Sequence, residues 1–260
     1  MDEVSFLTQG LFLIILSFFT HWVGYKKDLF SILKISYQTK PYPVLAGILS
    51  LLSIFFYLFP FPYIAWYAPL ILLLFYFALK SKEQFISILK DKMTLPKTSL
   101  LWDVTIGLTI FIVSLPFLSF LQNSLEWILT YFFQMEVPRQ FFIDFIRQIK
   151  ENKPLLTFFF VLVCILVPAY EEFLYRANIQ TWLKNYLSPF WAIFVTSLFF
   201  AVSHFFTIDT VPGKIIVIIT TFTASMYLGF SYERQRSLIT SITYHSMINT
   251  LTFVQVLLGS

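Results

Sequence analysis

The sequence predicts an all-α, polytopic transmembrane helical bundle of about eight spans, and three observations carry that prediction. Of the 260 residues, 58% are hydrophobic and 12% charged, whereas a soluble domain carries about 25% charged residues. The mean hydropathy is +0.76. Apolar segments recur at roughly the 20-residue length that a membrane crossing requires, at 4–24, 43–60, 62–80, 101–122, 155–175, 189–207, 214–231 and 237–258.

The first segment follows Met-Asp-Glu, with neither the positive start nor the small-residue cleavage site of a secretory signal, so it is read as a genuine span. His21 lies near Trp22 and Tyr25 at its end, where an interfacial aromatic belt is expected. The second and third segments are joined by a very short connection, Pro60 to Pro62. Residues 81–100 interleave Lys82, Lys90, Lys92 and Lys97 with Phe85, Ile86, Ile88 and Leu89, the pattern of a short amphipathic helix on an anionic leaflet. Residues 123–153 mix aromatic and charged side chains and read as an interfacial segment, a surface helix in preference to a lid. The chain thus divides into an N-terminal transmembrane region with interfacial segments, 1–154, and a C-terminal transmembrane core, 155–260.

Lysines gather in the first and third connections and are absent from the second, so the positive-inside rule places both termini outside. The net charge of +4 is no nucleic-acid signal, because no basic helix with interleaved aromatics lies outside the apolar segments. A single cysteine, Cys164, excludes an internal disulfide and a zinc ribbon. With 33 Phe and 7 Gly, aromatic packing is expected to organise the bundle more than small-residue helix contacts.

Ionisable groups inside apolar segments are costly and rarely accidental. Tyr170-Glu171-Glu172-Phe173-Leu174-Tyr175-Arg176 places two acids after a long apolar run. Glu172 and Arg176 are four apart, so on a helix they share a face and can pair. Glu171 points about 100° away and has no local partner, which leaves it available as a base. Two further places are Phe200-Ala201-Val202-Ser203-His204 and His245-Ser246-Met247-Ile248-Asn249. Glu171 lies 17 residues before Ser188 and His204 lies 16 after it. In an antiparallel pair both sit about 24–26 Å from the turn, at one level. His245 is only eight residues past Ser237, so its helix must be staggered or start deeper.

These residues resemble the CPBP family, the CAAX-protease and bacteriocin-processing membrane proteins, also called Abi proteins. The resemblance covers about residues 155–258. It rests on Glu-Glu-x-x-x-Arg at 171–176, Phe-x-x-x-His at 200–204 and His-x-x-x-Asn at 245–249, with Tyr227-Leu228-Gly229-Phe230 and Arg234 before the last motif. Ala177, Gln235 and Arg236 depart from the family pattern without removing a candidate group. The resemblance implies a glutamic-type intramembrane endopeptidase acting on a membrane-delivered protein or peptide, in the cell or cytoplasmic membrane of a prokaryote. It implies that Glu171 and His204 activate a water and that Arg176 holds Glu172. His245 and Asn249 would stabilise the oxyanion. No cofactor is favoured. A divalent metal, zinc held by Glu171, His204 and His245, is the alternative, although the His-Glu-x-x-His signature is absent.

Two rival readings remain open: a non-catalytic scaffold or bacteriocin-immunity protein of the same fold, and a proton-coupled transporter. For the transporter, no second half matching the broken-helix pattern is found. The Gly-x-Ser-x-Gly and Gly-x-Gly-Asp signatures of other intramembrane proteases are absent.

Overall fold

The computed structural model describes residues 3–32, 99–136, 141–205, 208 and 210–259. The spans expected at 43–60 and 62–80 lie outside the described residues, as does the amphipathic helix expected at 81–100 apart from its last two positions. All regular structure among the described residues is helical. We number the helices α1 (Glu3–Lys26), α2 (Leu100–Tyr131), α3 (Phe141–Ile149), α4 (Lys153–Leu183), α5 (Pro189–Ser203), α6 (Val211–Gln235) and α7 (Leu238–Leu258).

Four of them, α1, α2, α4 and α6, are long and apolar enough to cross a membrane. α7 is long enough, but Thr240, Ser241, Thr243, His245, Ser246 and Asn249 lower its hydropathy. The span expected at 189–207 ends as a helix at Ser203. Its 15 residues rise about 22 Å, less than a hydrocarbon core of roughly 30 Å. The last turn tightens: the His204 N–H reaches back to Ala201 O at 3.1 Å, three residues instead of four. His204 therefore caps α5 and does not sit mid-span.

Residues 123–131, read as part of an interfacial segment, continue α2 as one helix. α3 does run beyond it, but it docks: Ile146 and Ile149 pack with Phe253 and Val256 of α7. Ser99 starts α2 by accepting the Trp102 N–H at 3.2 Å, and Asn152 starts α4 by accepting the Leu155 N–H at 3.2 Å. Both satisfy amide donors that the first helical turn leaves unpaired.

α6 packs against α5, α2, α7 and α4, while α2 packs against α1, α6 and α7. Polarity runs opposite to that of a soluble core. Phe18 is 75% and Leu101 74% exposed, whereas Asp103, Glu172, Arg176, Gln180 and Glu233 are fully buried. Hydrocarbon outside and hydrogen-bonded polar groups inside is the arrangement a bilayer imposes.

Two glycines sit at helix crossings, beside the aromatic packing expected to do more of the organising. A Cβ on Gly107 of α2 would lie 2.6 Å from Thr240 O, and one on Gly229 of α6 would lie 2.5 Å from Ile193 Cγ2. Few glycines suffice because each serves one crossing. Aromatic contacts fill the remainder, among them the Tyr175–Phe200 and Phe160–Phe253 edge-to-face pairs.

Candidate active site

α4 is one helix interrupted twice by π turns, at Leu162–Leu166 and Phe173–Gln180. Such wide turns are uncommon and concentrate at functional sites. Glu171 and Glu172 end the short α-helical stretch between them. Side chains five residues on serve the second π turn: Asn178 Nδ2 donates to Phe173 O at 2.8 Å and Thr181 Oγ1 donates to Arg176 O at 2.9 Å. No feature of spacing or composition announced these turns.

Glu172 pairs with Arg176 as the spacing predicts, Oε2 to Nε at 3.1 Å, with both side chains fully buried. Its other oxygen, Oε1, faces His245 Nδ1 at 3.1 Å. Glu171 has no partner on its own helix among the described contacts. Its Oε2 lies 3.6 Å from His245 Nε2. The imidazole of His245 thus stands between the two carboxylates, one on each ring nitrogen.

His245 reaches this depth because its helix starts inside the protein. Arg236 takes a left-handed conformation at φ 50° and ends α6, and α7 begins at Leu238. Ser237 between them is fully buried and its Oγ donates to Asp103 Oδ2 of α2 at 3.0 Å. Of the two alternatives the sequence left for this helix, the turn starts deeper. Asp103, an acid in an apolar segment, was a legible signal that the sequence reading passed over.

The register argument for α4 and α5 holds at the ring level. Tyr175, 13 residues before Ser188, meets Phe200, 12 after it, with ring centroids 4.8 Å apart. Glu171 and His204 lie four residues further from Ser188 on each helix, and the contact described at Glu171 runs to His245. Phe200 stands between the two histidines, its ring 4.7 Å from that of His204 and 5.8 Å from that of His245. His204, half-buried, directs Nδ1 at Phe200 O, 2.8 Å away. A carbonyl only accepts, so Nδ1 carries a proton.

Asn249 Nδ2 donates to Val163 O at 2.9 Å, inside the first π turn, and ties α7 to α4. A primary amide has two N–H groups, so this bond uses one of them. Ser225 and Gln180 also bind Arg176, by Ser225 Oγ at 2.7 Å and Gln180 Oε1 at 3.5 Å. Neither was singled out from the sequence, because Ser and Gln inside a helix carry no motif.

No group of three or more His, Cys, Asp or Glu side chains that could hold a metal ion occurs among the described residues. Of the Glu171, His204 and His245 set, Glu171 and His245 share a described contact, Oε2 to Nε2 at 3.6 Å. His21 makes none of these contacts and packs among Phe30, Phe117 and Tyr227, with Nδ1 on Ser17 O at 2.8 Å and Nε2 on the Tyr227 hydroxyl.

No curated protein and no solved structure matches the chain. Residues 153–251, which contain Glu171, Glu172, Arg176, His204, His245 and Asn249, match the model of the Rce1-like family, described as type II CAAX prenyl endopeptidase Rce1-like.

Proposed function

We propose that the chain is a multi-pass intramembrane endopeptidase that hydrolyses a peptide bond in a membrane-delivered protein or peptide without a metal. The observation that carries the reading is the pair of adjacent buried glutamates facing the two nitrogens of His245. Residues 33–98 supply room for the remaining spans of an eight-span bundle.

Glu171 is the base. It is the carboxylate not held by Arg176, and its 3.6 Å separation from His245 Nε2 is loose enough to admit a reacting group. It takes a proton from water as the water oxygen attacks the scissile carbonyl carbon. His204, whose Nδ1 is held by Phe200 O, orients that water. Arg176 holds Glu172 at 3.1 Å and so keeps its other oxygen directed at His245 Nδ1, which fixes the ring. A proton on His245 Nε2, together with the second N–H of Asn249, then stabilises the oxyanion as donors placed in advance of the charge do. When the tetrahedral intermediate collapses, the C–N bond breaks and the proton on Glu171 passes to the leaving nitrogen.

The test compares wild type with Glu171→Gln in membranes of the source organism's deletion strain. Termini of all membrane and secreted proteins are read by mass spectrometry. New termini that form only with wild type, and that persist under chelators, support the proposal and identify the substrate. Matching profiles with a phenotype rescued by both versions would favour a non-catalytic scaffold, and loss of the termini on chelation would favour a metal.

A further inference from the structure

The polar residues on the facing sides of α4 and α6 continue well past the glutamates. On α4 they recur every four residues, at Glu172, Arg176, Gln180 and Lys184, the last just beyond the helix end. On α6 they do the same, at Ser225, Gly229 and Glu233. The rungs meet in order. Arg176 Nη2 donates to Ser225 Oγ at 2.7 Å, and Arg176 Nη1 reaches Gln180 Oε1 at 3.5 Å. Gln180 Nε2 donates to Glu233 Oε1 at 2.9 Å and to Gly229 O at 3.4 Å. Lys184 Nζ donates to the same Glu233 Oε1 at 2.8 Å, and Arg236 Nη2 lies 3.2 Å from Glu233 Oε2.

A spacing of four does not run straight along an α-helix. Each step overshoots a full turn by about 40°, and three steps by about 120°. The second π turn, Phe173–Gln180, falls inside this stretch. Its wider turn takes back the overshoot and keeps Lys184 on the same side as Glu172. Gly229 completes the fit, because a Cβ there would come within 3.1 Å of Gln180 Oε1.

The seam buries three cations, Arg176, Lys184 and Arg236, against two carboxylates, Glu172 and Glu233. Apolar residues would join two helices without the desolvation cost of these charges, so the seam has a use beyond adhesion. We propose that it holds the Arg176 guanidinium in place, and through it Glu172 and His245, so that Gln180 and Glu233 are positioning residues of the site. The proposal rests on the reading of Glu172 and Arg176 as part of a hydrolytic centre.

Full-length Gln180→Met cuts the link between Arg176 and Glu233 at nearly constant volume. Gln180→Glu keeps an oxygen for Arg176 but replaces the donor to Glu233 Oε1 with a carboxylate oxygen, so it too breaks that link. Two readouts are taken in membranes: the rate at which the wild-type-dependent termini form per amount of protein, and the 15N signal of His245 in histidine-labelled protein, assigned by its loss in His245→Gln. Gln180→Met is expected to form the termini about ten- to a hundred-fold more slowly, the scale of a slightly misplaced catalytic group, and to move the His245 signal. Gln180→Glu is expected to slow their formation by a similar factor and to move the signal as well. A wild-type rate in Gln180→Met, or a slower rate with an unmoved His245 signal, overturns the proposal. If Gln180→Met does not accumulate, Gln180→Glu decides, and a wild-type rate in it, or a slower rate with an unmoved His245 signal, overturns the proposal. Glu171→Gln separates the two readings: if its termini match those of wild type, the hydrolytic reading fails, and the His245 signal alone then judges the seam.

Discussion

Arg176 has the largest fully buried side chain among the described residues and holds Glu172, Ser225 and Gln180 at once. Removing one partner of a buried ion pair leaves the other uncompensated and costs about 3–5 kcal/mol. Arg176→Met is therefore expected to accumulate poorly and to lose heat stability, measured as the detergent-solubilised fraction remaining folded after heating. Glu171→Gln, at a residue without an ion pair to Arg176, is expected to accumulate normally. The two histidines should also separate. His245 binds both glutamates, whereas the described hydrogen bonds of His204 run to its own helix. His245→Gln is expected to abolish formation of the wild-type-dependent termini. His204→Gln is expected to slow it by about a hundred-fold, the ordinary worth of one acid–base group, with normal accumulation in both variants.

At the scale of the element, the position of His245 depends on how α7 lies against α2. Three contacts fix it: Ser237 Oγ on Asp103 Oδ2 at 3.0 Å, Ser114 Oγ on the Tyr244 hydroxyl at 3.1 Å, and the close approach at Gly107. A Cβ at Gly107 meets a backbone oxygen, which cannot rotate away, so Gly107→Val must push the two helices apart. That variant is expected to lose activity by far more than it loses abundance, read as termini formed per amount of membrane-inserted protein. Gly10 tests the specificity of this argument, since a Cβ there comes no nearer than 4.0 Å to Phe120. Gly10→Ala is expected to behave as wild type.

For the whole molecule, the family segment 153–251 does not close on itself. α2 lies outside it and supplies Asp103, Gly107 and Ser114 to α7, together with Ile106, Ile110 and Phe111 in the cluster around Leu228 and Tyr244. A chain trimmed to 153–260 is expected to be degraded or inactive, and co-expression with 1–152 as a separate chain is expected to restore part of the activity. Full activity of the trimmed chain would show that α2 is dispensable and that α7 holds its place without it.

The helical class, the apolar segments and the pairing of Glu172 with Arg176 were legible in the sequence, because each rests on local composition or on spacing within one helix. So were the three motifs, since ionisable groups in apolar segments stand out against lipid. Only the tertiary structure decided which histidine meets the glutamates. Sequence spacing set Glu171 level with His204, but level is not contact: the described contact of Glu171 goes to His245. The buried turn at Arg236 and Ser237 and the two π turns of α4 were equally hidden. Each depends on where a neighbouring helix offers a partner, Asp103 to Ser237 and Asn249 to Val163, and a partner more than 80 residues distant in the chain leaves no mark on local periodicity.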